Sequence, residues 1–219
     1  METNDGARAR ILEAAINVIE NDGEAGLRTK DIAAHAGITE PTIYHYFGNR
    51  DGLVTAAQLE RYVRGLRDTN DVVSKFMPTV TSREELAASV MEALRFLGDP
   101  SRTALRRARA SALGSAINRP ELLSQIAEAT VAADRELAVQ VAEAQRRGWV
   151  RAGLDPMAVA AWIHHNAASP RIYLEISPGQ YHEAAYDALV AASVLWVVGL
   201  SEFLPPAIDP FAADRVPGA

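Results

Sequence analysis

Residues 26–53 read GLRTKDIAAHAGITEPTIYHYFGNRDGL, and two short helical patterns can be traced in them on either side of Gly37. Thr29 stands where a helix N-cap is preferred, and Thr39 does the same for the second pattern. Pro41 is tolerated there because the first turn of a helix needs no intrahelical N–H bond. Gly48 closes the second pattern, whose end is dense in aromatics: Tyr44, Tyr46 and Phe47. Two helices joined by a tight glycine-containing turn make a helix-turn-helix.

Outward from this stretch the chain reads as helix throughout. Upstream, Ile11, Ala15, Val18 and Ile19 have the spacing of one buried helical face, predicting a helix over 7–21 with Gly23 as its stop. Downstream, a helix is expected over 50–70. Ser82 to Glu85 (SREE) is a capping box. Asp99-Pro100, Asn118 with Pro120 and Glu121, and Asp155-Pro156 each read as a cap followed by proline in a first helical turn. A last helix is expected over 183–203, stopped by Pro205-Pro206. No strand-like alternation with turn signals occurs. The expectation is an all-α chain of about nine helices: a three-helix head at 1–50, a helical-bundle body at 51–207, and a loosely ordered tail from 208 to 219.

Composition narrows the class. The 219 residues are 48% apolar, enough for one large or two small cores. Without cysteine, neither a disulfide framework nor a thiolate metal site can form. The start, METNDGARAR, lacks the apolar region of a secretory signal, so a cytoplasmic protein is expected. The longest nearly unbroken apolar run, Ala188 to Leu200, has 13 residues and is too short to span a bilayer. Charge gives no help to a nucleic-acid reading. The whole chain carries −6, and residues 1–50 hold five cations against eight acids, a net of −3. The positive side chains nevertheless gather around the motif, at Arg28, Lys30 and Arg50, and overall acidity does not forbid a local basic face.

The order of residues in 26–53 resembles the N-terminal domain of TetR-family transcriptional regulators. The matching pieces are Gly26-Leu27-Arg28-Thr29, Asp31-Ile32-Ala33, the turn Ala36-Gly37-Ile38, the run Thr42 to Phe47, and Asn49 to Leu53. The resemblance covers about residues 8 to 60. It implies a DNA-binding head, a ligand-sensing and dimerisation body, and most often a repressor released from a palindromic operator by a small effector. Arg28, Thr29, Lys30, Thr39, Glu40, Pro41, Thr42, Tyr44, His45, Tyr46 and Arg50 are then the candidate DNA contacts. Thr42 and Tyr44 would meet the backbone, while Glu40, Pro41 and His45 would face the groove. Phe47 would pack in the head core. Glu40 departs from the lysine or small polar residue that many relatives carry; it can accept from cytosine N4 but repels phosphate.

Three further features bear on the body. Ala185, Leu189, Ala192, Trp196, Gly199 and Phe203 step by four and three residues, a seam suited to a second subunit, with Leu189, Ala192, Trp196, Gly199 and Phe203 as the expected dimer interface. The opposite side, with Val190, Val194 and Val197, is also apolar, and a helix apolar all round needs partners on both sides. Trp162, His165 and Asn166, with Met91, Phe96 and Leu113, are the expected lining of an effector pocket. No cations cluster there, so a neutral or lipophilic ligand is expected. Pro170 would kink its helix. The arginines from Arg102 to Arg109 read as a solvated face paired with acids. No metal, cofactor or catalytic constellation is expected. Two other readings stay open: a helical interaction module without DNA binding, and a helical enzyme built on His164 and His165.

Overall fold

A computed structural model of the chain describes residues 4–166 and 171–206. The described residues form the α-helices α1 (Asn4–Gly26), α2 (Thr29–Ala36), α3 (Glu40–Phe47), α4 (Arg50–Phe76), α5 (Arg83–Gly98), α6 (Thr103–Ala116), α7 (Pro120–Arg146), α8 (Pro156–Asn166), α9 (Ile172–Glu175) and α10 (Glu183–Val198). Short 3₁₀ turns lie at Pro100–Arg102 and Ser201–Phe203. Among the described residues there is no strand, and no helix is long and apolar enough to cross a membrane. The expected kink at Pro170 and the tail from 208 lie outside the described residues.

Several punctuation marks do what their chemistry demands. Ser82 Oγ accepts from Glu85 N at 3.1 Å, Asp99 Oδ1 from Ser101 N at 2.8 Å, and Asp155 Oδ1 from Ala158 N at 2.7 Å. Glu85 in turn reaches back to accept from Thr81 N and Thr81 Oγ1, both at 2.8 Å. The helical path of α1 breaks at Gly23, the expected stop. The last helix is shorter than expected. It ends at Val198, and Gly199 (φ 85°) turns the chain into the 3₁₀ segment.

Packing divides the chain into two compact units, Met1–Gly65 with Arg107–Ala129, and Leu66–Arg106 with Thr130–Ala219. Helices α4, α6 and α7 each supply residues to both units. The first unit is built on Ile11, Ile16, Leu27, Ile32, Ile43 and Leu53, all at most 2% exposed. The core of the second includes Leu86, Val159, Leu195 and Leu200.

The expected arginine face is paired with acids, Arg102 with Asp68 and Arg106 with Glu175, but it is not solvated. Arg102, Arg106 and Arg109 are buried. In the second unit, Arg106 donates to the Leu97 carbonyl (2.6 Å) and to Glu175, and Arg102 stacks on Phe96. In the first, Arg109 lies over the Tyr62 ring. The three positions recur at helical spacing, so the same face that carries charge also faces inward.

The second unit also buries a polar chain that joins α4, α7 and α8. Asn70 Nδ2 donates to the Ala133 carbonyl (3.1 Å) and to Glu136 Oε2 (2.8 Å). This orientation turns Asn70 Oδ1 toward His164 Nε2 (2.8 Å), so that nitrogen carries a proton. His164 Nδ1 meets Asp134 Oδ1 at 2.5 Å, and the imidazole is fully buried. Removing one member strands the others in an apolar interior. His164→Leu should therefore cost about 3–5 kcal/mol, read as a lower urea midpoint of the full chain; an unchanged midpoint would contradict this packing.

Candidate nucleic-acid interface and ligand cavity

The helix-turn-helix is formed by α2 and α3. Gly37 ends α2 in the left-handed region (φ 66°, ψ 39°), which a residue with a Cβ enters only at a steric cost. The Ile38 N–H then returns to the Ala33 carbonyl at 3.0 Å, closing the turn. Ile43 is the fully buried residue of α3. Its burial fixes which side faces out. Pro41, Tyr44 and His45 are exposed, Thr42 is half-buried, and Tyr46 and Phe47 lean onto the core. Phe47 thus packs as expected, and Tyr46 stands edge-on to His45 at 5.2 Å.

The exit from α3 is tight. Asn49 Oδ1 accepts from Gly52 N at 2.8 Å, capping α4. A Cβ at Gly52 would lie 2.0 Å from the Phe47 carbonyl oxygen, so only glycine lets α4 start this close to the end of α3. Arg50 closes the other side. Its Nε donates to the Leu27 carbonyl at 2.8 Å and its Nη2 to that of Glu24, so the guanidinium braces the entry to α2 while remaining at the surface.

Thr29 does not cap α2; that position falls to Arg28, which makes no side-chain cap bond. The Thr29 hydroxyl instead donates to Glu40 Oε1 and lies 3.3 Å from the Tyr44 hydroxyl. Tyr44 also donates to Glu40 Oε1, at 3.4 Å. Glu40 is accordingly half-buried and turned onto its own protein, not held out as a groove reader. Thr39 is the N-cap residue of α3, but its hydroxyl pairs with that of Thr42 (2.9 Å) rather than with a helix N–H. Arg28 and Lys30 are exposed beside Thr29. The structure thus gathers Thr29, Glu40 and Tyr44 into one cluster and presents Arg28, Lys30, Thr39, Pro41 and His45 to solvent.

A polar brace in the same unit escaped sequence reading. Glu24 accepts from Gln58 Nε2 (2.6 Å) and pairs with Arg119 (3.0 Å), which also holds Asp51 (2.9 Å). Burial alone would raise the Glu24 carboxyl; hydrogen bonds from Ser115 and Gln58, with the charge of Arg119, overcome it and hold the group below the ordinary carboxylate range.

In the second unit a cavity of about 90 Å³ opens among α4, α5, α7, α8 and α10, with Val73, Phe76, Leu86, Val90, Val141 and Ile163 among its walls. Thr69 and Gln140 also line it, but the wall is almost wholly apolar. None of the six expected lining residues reaches it. Helix α8 turns Val159, Ala160, Ile163 and His164 inward, which leaves His165 and Asn166 exposed and Trp162 beside them. Phe96 is exposed under Arg102, Leu113 belongs to the first unit, and Met91 lines a separate recess of about 270 Å³ between α5 and α10. The residues of the expected seam differ in exposure. Leu189 and Trp196 are 57% and 55% exposed. Ala192 points into the core, Gly199 ends the helix, and Phe203 packs from the 3₁₀ turn.

Residues 11–57 match the family model of bacterial regulatory proteins of the tetR family. The HTH-type transcriptional regulator BetI of Rhizobium meliloti is 30% identical over 88 residues, 40% of this chain and 42% of that protein. BetI of Brucella anthropi is 32% identical over 84 residues, 38% and 41% of the two chains. The alignments thus span about two fifths of the curated relatives. A TetR-family regulator from Mesorhizobium loti superposes with a TM-score of 0.72 at 18% identity, over 91% of this chain and 98% of that one. FadR of Bacillus subtilis, solved with stearoyl-CoA, superposes with a TM-score of 0.56 at 19% identity, over 88% and 98%. The described residues form an all-helical fold with a helix-turn-helix near the N-terminus. Residues 11–57 thus carry the N-terminal domain of tetR-family bacterial regulatory proteins, and the described helices share the fold of solved TetR-family regulators.

Gly52→Ala should push α4 away from α3 and cost about 1–3 kcal/mol. The check is the thermal midpoint by circular dichroism. No loss would mean that the close approach at Phe47 is not a constraint.

Proposed function

We propose that the protein is a dimeric one-component repressor that binds a palindromic operator and leaves it when a neutral or lipophilic effector enters the second unit. The observation that carries the DNA reading is the presentation of α3: Ile43 is buried, while Tyr44, His45, Pro41 and Thr39 stand out beside the exposed cations Arg28 and Lys30. Exposed hydroxyls and cations suit phosphates, and His45 suits a base edge. The acidic balance of the chain calls for modest sequence-independent affinity.

For the effector, the support is the apolar cavity. At about 90 Å³ it has room for several water molecules or a small apolar group. A ligand larger than a few carbon atoms must part the walls, and it can shift the protein only by binding the parted form better. The stearoyl-CoA held by the Bacillus subtilis protein is consistent with an apolar ligand on this fold. For the dimer, the support is the outward face of α10, where Leu189 and Trp196 leave large apolar side chains in solvent. A cytoplasmic location follows from this role.

Gel-shift titration against a duplex selected from a random-sequence pool tests the DNA reading. Tyr44→Ala should weaken binding to every sequence, and His45→Ala should change which bases are preferred. Wild-type-like binding by both would remove α3 from the interface, and a protein that enriches no sequence would favour an interaction module.

Trp196→Glu tests the dimer. Because Trp196 is half exposed in the single chain, the charge should leave the monomer folded and disrupt pairing. Light scattering at micromolar concentration should report a dimer for the wild type and a monomer for the variant. A monomeric wild type would sink the dimer and the palindrome together.

A further inference from the structure

The Thr29–Glu40–Tyr44 cluster has no part in the fold core and is not explained by reading bases. It joins two hydroxyls to one carboxylate oxygen at the exposed end of the motif. Thr29 opens α2 and Glu40 opens α3, so the carboxylate stands where helix N–H groups and the helix dipole favour an anion. Thr29 Oγ1 donates to Glu40 Oε1, and the Tyr44 hydroxyl donates to the same oxygen at 3.4 Å. A hydroxyl has a single proton. While both protons are spent on Glu40, neither hydroxyl can donate to an external phosphate.

We propose that Glu40 is an internal competitor for DNA phosphate: in the free protein its carboxylate occupies the hydroxyl donors that the head offers to the DNA backbone. The inference rests on the DNA-binding reading above and adds a restraint to it. To seat a phosphate on Thr29 and Tyr44, Glu40 must rotate away and its charge must be kept clear of the duplex. Both steps oppose binding equally on every sequence. Operator sites with good base contacts can overcome the penalty, and random DNA cannot. Glu40 then lowers the absolute affinity for every duplex without changing their ratio, so that at a given protein concentration only sites with good base contacts are occupied.

Two other roles for Glu40 make opposite predictions. If it accepted from a cytosine amino group, removing it would weaken binding at one base pair and leave other sequences alone. If it only oriented Tyr44, removing it would weaken binding everywhere.

The test measures full-length wild type, Glu40→Gln and Glu40→Ala against two duplexes of equal length, one selected from a random pool and one unrelated, across a salt series. Circular dichroism checks that each variant is folded. Both variants should bind both duplexes more tightly, by roughly tenfold at low salt, and the part of the gain that comes from the removed charge should fade as salt rises. The gain should shrink when Glu40→Gln is placed on a Thr29→Val, Tyr44→Phe background, because the contested donors are gone. Equal gains on both backgrounds would reduce Glu40 to a distant charge and overturn the competition. Unchanged or weaker binding, or a loss confined to one base pair, would overturn it as well. A wild type that binds the selected duplex while the variants gain nothing removes this inference alone. A wild type that binds neither duplex removes the DNA-binding reading, and this inference with it.

Discussion

The burial of Ile43 is the contact on which the presentation of α3 depends. A helix of eight residues does not hold together in water by its own hydrogen bonds. It persists because Ile43 enters the core built by Ile11, Ile32 and Leu53. Two backbone constraints then fix its direction, the left-handed turn at Gly37 and the approach of Gly52 to the Phe47 carbonyl. With these in place, side chains that gain nothing from the core are held outward on a rigid element. Such a site keeps its geometry before any ligand arrives.

Charge is managed differently in the two units. In the first, Glu24, Asp51, Gln58 and Arg119 satisfy one another, so part of the head's acidity is spent inside the protein. In the second, Asn70, Asp134 and His164 form a buried chain close to the walls of an otherwise apolar cavity, to which α4 also contributes Thr69 and Val73. Buried polar groups that are fully paired specify one arrangement of neighbouring helices, and half-paired ones would loosen it. The arrangement of α4, α7 and α8 is therefore tied by hydrogen bonds where the cavity leaves packing incomplete.

The fold class, most helix starts and the turn at Gly37 were legible in the sequence, because capping and left-handed turns are local chemistry. Ser82, Asp99 and Asp155 cap within three residues of themselves. What could not be read locally was the partner of each side chain. Thr29 has the right chemistry for a cap, but Glu40 is brought beside it only when α3 docks on α2. On α8 polar residues stand side by side, but the apolar spacing of Val159, Ala160 and Ile163 puts His164 inside and leaves His165 outside. Gly199 read as a small residue in a seam. Its left-handed φ and the packing of Arg151 against it, 2.7 Å from where a Cβ would sit, make it the end of α10.

The most direct measurement is sequencing of the DNA that the purified full-length protein enriches from sheared genomic fragments, run beside Tyr44→Ala. The wild type should enrich a few sites sharing an inverted repeat, with half-sites about 10–10.5 base pairs or a multiple apart as two-fold symmetry requires, and the variant should enrich none. Enrichment of no sequence by the wild type, or the same sites recovered by both proteins, would contradict a DNA-reading role for α3.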